Sequence, residues 1–112
     1  MSDPVALYDQ ADKLKDEGKL EEAVAKLKEA LGADPNYALA HAALAVVEQK
    51  LGRHDDAIQH ARRVCELEPD DPFSFTALSV TYQRAFAGTN NMQYIRMAED
   101  AMEQSRILES RR

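Results

Sequence analysis

The sequence has little of what builds covalently linked or membrane-spanning proteins. It contains one cysteine, so no disulfide can form within the chain, which suits a reducing compartment. No stretch approaches the roughly 18 consecutive apolar residues of a transmembrane helix. The opening MSDPVALYDQ has neither the basic nor the apolar region of a secretory signal. We therefore expect a cytoplasmic protein without a membrane anchor.

The sequence also has few of the residue patterns that are typical of metal-binding or catalytic sites. The three histidines, His41, His54 and His60, lack the i, i+4 spacing that would put two metal ligands on one helix face. A nucleophilic Cys65 would need a base and an oxyanion donor that the sequence does not supply, so we expect a buried or half-buried, small apolar side chain. The net charge of −6 disfavours binding to nucleic acids and anionic membranes, because like charges repel. We expect no enzyme activity, no metal and no cofactor, and neither a nucleic-acid nor a membrane partner.

The few glycines and prolines recur at a fixed period. The residues that match at an offset of 34 are Gly18 and Gly52, Ala23 and Ala57, and Pro35 and Pro69. A period of this length is typical of helix-turn-helix solenoids, in which each repeat buries its apolar face against the next. A chain of 112 residues is long enough for one domain. We expect a single domain, 1–112, with repeats at about 4–37, 38–71 and 72–109.

Apolar periodicity and capping residues predict six helices and no strands. Their expected ranges are 4–17, 20–31, 37–51, 54–67, 72–86 and 91–109. Asp3 and Asp71 each precede a proline, so each is expected to cap the helix that follows. Asn90, with Gln93 three residues later, is expected to open the sixth helix as a capping box, after a loose link at 87–91.

Small residues sit at two places in each helix pair and let its helices approach closely. They are Ala11, Ala45 and Ser79 in the first helices, and Ala23, Ala57 and, after an insertion of seven, Ala98 in the second. With the closing prolines, this pattern resembles the tetratricopeptide repeat family over residues 4–109, the third repeat being degenerate. Gln10, His41 and Glu48 depart from it, standing where the family has leucine, an aromatic residue and tyrosine. The resemblance implies an all-α, right-handed superhelical solenoid of three antiparallel helix pairs.

In this family the first helix of each pair lines a concave groove that binds peptides. The matching positions here are Tyr8, Asp12, Lys15, Leu39, Ala42, Val46, Gln49, Lys50, Phe73, Thr76, Val80, Gln83 and Arg84. Apolar residues lie at one end of the expected groove and basic residues at the other, which suits a protein segment or peptide with an acidic or carboxylate end. The resemblance thus implies a non-catalytic protein-interaction scaffold. The alternative is that the apolar residues only pack between helices and the basic residues are solvated.

One familiar mode of binding can be checked against the sequence. Some members hold the C-terminal carboxylate of chaperone tails in a clamp of lysine, asparagine, asparagine, lysine and arginine. The equivalent positions here are occupied by Tyr8, Asp12, Ala43, Phe73 and Ala77. None of them matches, so we expect no chaperone-tail binding by that clamp.

The sixth helix has more apolar residues than one stripe requires. The family often adds a further helix that covers this end, and none follows here. An uncovered face could serve self-assembly into homo-oligomers through Tyr94, Ile95, Met97 and Met102. This is an alternative to groove binding. A second alternative is that these side chains fold back on the fifth helix.

Overall fold

The computed structural model describes residues 3–111 and contains six α-helices within them. They are α1 (Pro4–Asp16), α2 (Leu20–Ala33), α3 (Ala38–Lys50), α4 (His54–Leu67), α5 (Pro72–Thr89) and α6 (Gln93–Ser110). The prediction of an all-α fold is confirmed. None of these helices has the length and apolar content needed to cross a membrane.

The sequence repeat is reproduced in the turn geometry. Gly18 and Gly52 end α1 and α3 with φ of 79° and 78°, a left-handed conformation that glycine adopts without a Cβ penalty. Behind each glycine, the next backbone N–H reaches back to a carbonyl five residues earlier, from Lys19 to Leu14 and from Arg53 to Glu48, both at 2.8 Å. This bond satisfies a carbonyl that the helix end would leave unpaired. The two turns are therefore the same structure.

Two of the predicted helix starts are confirmed. The Asp3 carboxylate accepts a hydrogen bond from the Val5 backbone N–H at 3.0 Å. The Asp71 carboxylate does the same for the N–H of Phe73, also at 3.0 Å. In each case a proline fills the first position of the helix, where its missing N–H leaves no bond unmade.

The link before α6 differs from its prediction. Helix α5 continues to Thr89, so most of the expected loose segment at 87–91 is helical. Asn90 ends α5 in the left-handed region at φ 61°. The carboxamide of Asn91 accepts from the N–H of Gln93 at 3.0 Å. The prediction that Asn90 caps α6 was therefore wrong: Met92 stands at the N-cap position, and the side-chain hydrogen bond to the first turn comes from Asn91.

Helix contacts follow the chain order of a solenoid. Each helix packs on its sequence neighbours, and α3 also lies against both α1 and α5. One core cluster includes Leu7, Leu27 and Leu44, and the other includes Ile58 and Leu78. Helix α3 contributes to both clusters. The first helices of the three pairs, α1, α3 and α5, therefore form one continuous face.

The departures from the family pattern on α3 are buried and hydrogen-bonded. His41 is 8% exposed, and its Nε2 donates to the Pro35 carbonyl at 2.9 Å. Glu48 is 2% exposed, and its carboxylate accepts from His60 Nδ1 at 2.6 Å. Gln10, by contrast, is exposed on α1. The second helix pair therefore contains a paired polar cluster where the family pattern has aromatic side chains.

Candidate binding groove

Two pockets open along the face formed by α1, α3 and α5. The first pocket, about 210 Å³, lies between α1 and α3. The second pocket, about 390 Å³, lies between α3 and α5. Ala42 and Val46 of α3 line both, so the pockets are adjacent sections of one groove.

The structure brings most of the predicted groove residues together. The first pocket is lined by all three predicted residues of α1 and, from α3, by Leu39, Ala42 and Val46. The second is lined by Gln49, Lys50, Val80 and Arg84 in addition to the two shared residues. The spacing on α1 and α3 therefore identified one continuous face.

Three predicted residues of α5 do not line these pockets. Phe73 is 72% exposed at the start of the helix. The hydroxyl of Thr76 lies 2.8 Å from that of Ser105 on α6, so this residue faces away from α3. Gln83 lines a separate pocket between α5 and α6, and its amide donates to the Ser79 hydroxyl at 3.2 Å. Helix α6 thus takes part of the face that the sequence assigned to the groove.

The sequence prediction missed the floor of both pockets, which the second helices supply. Leu27 of α2 lines the first pocket and Ala61 of α4 lines the second. These residues stand 34 positions apart, so the repeat itself carried the signal that could have identified them. The prediction considered only the first helix of each pair.

The two pockets differ in their polar groups. In the first, Lys15 forms an ion pair with Asp12 at 3.4 Å. In the second, Lys50 and Arg84 form no ion pair with any residue in the range 3–111. The Gln49 Nε2 beside them is buried and has no hydrogen-bond partner in that range. The second pocket therefore presents two cations that have no ion-pair partner within residues 3–111.

The residues predicted for self-assembly lie on two sides of α6. Ile95 and Met102 line the pocket of about 620 Å³ between α5 and α6. Tyr94 instead packs towards α4, where its hydroxyl donates to Asp55 at 3.2 Å and its ring stacks on Tyr82 at 6.0 Å. Met97 is on this α4-facing side as well. The four residues therefore do not form one continuous surface.

Comparisons with known proteins bear on the family. A family model described as "Tetratricopeptide repeat" matches residues 8–72, and no curated protein matches the sequence. Among solved structures, the second TPR of Spaghetti (RPAP3), bound to an HSP90 peptide, has a TM-score of 0.77 at 20% identity, over 96% of this chain and 93% of that one.

Two crystal structures of MamA are also similar. The first has a TM-score of 0.83 at 17% identity, over 97% of this chain and 60% of MamA. The second has a TM-score of 0.71 at 20% identity, over 91% of this chain and 56% of MamA. At these identities the likeness concerns the fold, a solenoid of helix pairs, and the chain spans little more than half of MamA. The family model, however, covers more than half of this sequence, and the chain belongs to the tetratricopeptide repeat family.

Proposed function

We propose that the protein is a non-catalytic scaffold that binds a segment of a partner protein in the groove formed by α1, α3 and α5. The observation that carries this proposal is the second pocket, where apolar walls stand beside the exposed cations of Lys50 and Arg84. Family membership supports the proposal, since the repeat is generally a protein-interaction scaffold.

The bound segment carries an acidic side chain or a C-terminal carboxylate. Lys50 and Arg84, which have no ion-pair partner within residues 3–111, lie close to an apolar surface and attract such a group, although the chain as a whole is acidic with a net charge of −6. Leu39 and Phe73, which are 55% and 72% exposed, offer apolar contact to the rest of the segment. The partner is therefore a peptide that combines apolar residues with negative charge.

The HSP90 peptide in the Spaghetti structure is a precedent for this type of ligand in this fold. The carboxylate clamp of chaperone-binding members does not carry over, because its positions are occupied by residues such as Tyr8, Phe73 and Ala77. In this chain the acidic group would be bound by Lys50 and Arg84 instead. Self-assembly through α6 is less well supported, because its four expected residues are divided between two sides of that helix.

Reversing the two charges tests the proposal. Fluorescein-labelled decapeptides containing Phe and Glu would be titrated against the wild type and against Lys50→Glu/Arg84→Glu, with fluorescence polarisation as the readout. We expect the double variant to bind at least about tenfold more weakly, because two attractive contacts become repulsive. Both residues are exposed on helices, so helicity measured by circular dichroism should not change.

A matched variant separates local from overall charge. Lys28→Glu/Arg96→Glu makes the same change in net charge at exposed residues of α2 and α6 that line neither pocket of the groove. This control should bind as the wild type does, apart from a small long-range effect that salt removes. Equal affinity of Lys50→Glu/Arg84→Glu and the wild type would contradict the groove assignment.

A further inference from the structure

The two groove pockets are copies of one structural position. An offset of 34 residues, the period of the sequence, carries most of the lining of the first pocket onto that of the second. The equivalent pairs include Tyr8 and Ala42, Leu27 and Ala61, Lys15 and Gln49, and Val46 and Val80. Differences between the pockets can therefore be assigned to particular substitutions within the repeat.

The first pocket is narrowed by the chain's own side chains. Leu27, 1% exposed, forms its floor, and the Tyr8 ring beside it packs against Tyr37 with a centroid separation of 6.1 Å. In the second copy both large residues are replaced by alanine, and the volume rises from about 210 to about 390 Å³. Only the larger volume falls within the roughly 300–1,000 Å³ of typical ligand sites. The second pocket has room for a side chain supplied from outside.

The walls of the second pocket suit an apolar group. The Thr81 hydroxyl in this wall already donates a hydrogen bond to the Ala77 carbonyl at 2.9 Å. The Ser74 carbonyl already accepts a hydrogen bond from the Cys65 thiol at 3.4 Å. Apart from Thr81, the Ser74 side chain and the three polar residues Gln49, Lys50 and Arg84, the rest of the lining is alanine and valine. A large apolar side chain could therefore enter without displacing any of these hydrogen bonds.

Polar groups at the second pocket suit a carboxylate next to that side chain. The ion pair of the first pocket is absent here, because Val46 and Gln49 stand where Asp12 and Lys15 stand in the first copy. What remains are the hydrogen-bond donors of two exposed cations, Lys50 and Arg84. A carboxylate accepts such bonds more strongly than a neutral oxygen does.

We propose that the second pocket is the specificity pocket of the groove. It takes one large apolar side chain of the bound segment, and its donors bind a carboxylate adjacent to that side chain. The first pocket does not select in this way, because Tyr8 and Leu27 reduce its volume to about 210 Å³, below the range of typical ligand sites. This inference rests on the proposed function and adds the identity of the selecting residues, Ala42 and Ala61.

The test uses labelled peptides of the form Gly-Ser-X-Glu-Ser-Gly, with X as Phe, Leu or Ala, and a Phe peptide with Gln in place of Glu. In fluorescence polarisation the Phe and Leu peptides should bind about tenfold more tightly than the Ala peptide, because burial of a large apolar side chain is worth at least that factor. The Gln peptide should bind more weakly than its Glu counterpart.

Placing tyrosine, the residue found in the first pocket, at the equivalent position of the second pocket should abolish the preference for a large apolar side chain. Ala42→Tyr should reduce binding of the Phe peptide to the level of the Ala peptide. Ala6→Tyr, the same substitution at an exposed residue of α1 that lines neither groove pocket, serves as the matched control and should retain the preference. Circular dichroism establishes that both variants fold. In the wild type, NMR chemical-shift changes at Ala61 and Val80 on adding the Phe peptide give an independent readout of binding.

The outcomes separate this inference from the function on which it rests. If the Phe and Ala peptides bound equally well and only Lys50→Glu/Arg84→Glu weakened them, the specificity pocket would be overturned. The binding of acidic segments in the groove would remain. Shift changes that avoid Ala61 and Val80 would also overturn it. Absence of binding by every peptide in the panel would contradict the proposed function itself, and with it the pocket assignment.

Discussion

Cys65, the single thiol of the chain, lies between α4 and α5 with its Sγ–H donating to the Ser74 carbonyl. Burial first, and then the charges of Glu66 and Asp71, raises the pKa of this thiol to about 11. Because only the thiolate is a strong nucleophile, the side chain is unreactive at neutral pH. It acts as a small apolar residue of the second core cluster, as the sequence predicted.

This shift predicts a specific loss of stability in alkaline solution. The unfolded thiol loses its proton near its ordinary pKa of 9.0, whereas the folded one does so only near 11. Stability attributable to Cys65 is therefore complete below pH 9 and falls as the pH rises through that window. Between pH 8 and pH 10, the wild type should lose about 1 kcal/mol more unfolding free energy than Cys65→Ala. Urea titrations at each pH measure this difference, and parallel curves for the two proteins would contradict it.

The pairing of Glu48 with His60 was only partly predictable from the sequence. The sequence identified Glu48 as a departure from the family pattern, and burial at that position follows from the helix period. It did not identify the partner, because His60 lies on another helix and the geometry of the pair depends on how α3 and α4 pack. A buried carboxylate is tolerated only when it is paired, so the histidine explains why the departure does not disrupt the core.

At the scale of the helices, the connection between α5 and α6 is the element that the sequence predicted least well. Two consecutive asparagines can each end a helix in the left-handed region or cap the next one. The choice depends on where α5 stops, and α5 continues past Phe86 to Thr89. There Gly88 packs so closely against the His54 ring that a Cβ at residue 88 would lie 2.4 Å from its Nε2. This tertiary contact cannot be derived from local sequence preferences.

The backbone of Asn90 gives a test of this assignment. Non-glycine residues in the left-handed conformation cost about 1–2 kcal/mol, and asparagine bears this better than alanine because its side chain bonds locally. Asn90→Ala should therefore lower the unfolding free energy by about 1 kcal/mol, while Asn90→Gly should leave it unchanged or raise it. Urea denaturation monitored by circular dichroism compares the three proteins. If Asn90→Ala were as stable as Asn90→Gly, the residue would not be in the left-handed region.

For the whole molecule, the repeat period predicted the solenoid, and the resemblance to the tetratricopeptide repeat family implied a groove along α1, α3 and α5. The assignment failed for part of α5, because α6 packs against that helix and Ser105 contacts Thr76. The period also gave no indication that one pocket is smaller than the other, since the volumes depend on how side chains from different helices meet in space. The period thus determines the framework, and the substitutions within it determine the site.

The arrangement of the two core clusters predicts how the molecule unfolds. Helix α1 contacts α2 and α3, and α5 contacts α3, α4 and α6, so only α3 joins the two clusters. Leu27→Ala in the first cluster and Leu78→Ala in the second should each cost about 2–5 kcal/mol, because both side chains are buried. In a solenoid such losses act mainly on the neighbouring helices.

Native-state hydrogen exchange, followed by mass spectrometry, distinguishes local from global opening. Leu27→Ala should accelerate exchange chiefly in α1 and α2, and Leu78→Ala chiefly in α5 and α6. Helix α3 should respond to both, because Leu44 belongs to the first cluster and Ala45 to the second. Equal acceleration in all six helices by either variant would instead mean that the chain opens as one cooperative unit. Since α3 lines both pockets, ligand binding in the groove should slow its exchange in the wild type, and that protection should be reduced in both variants.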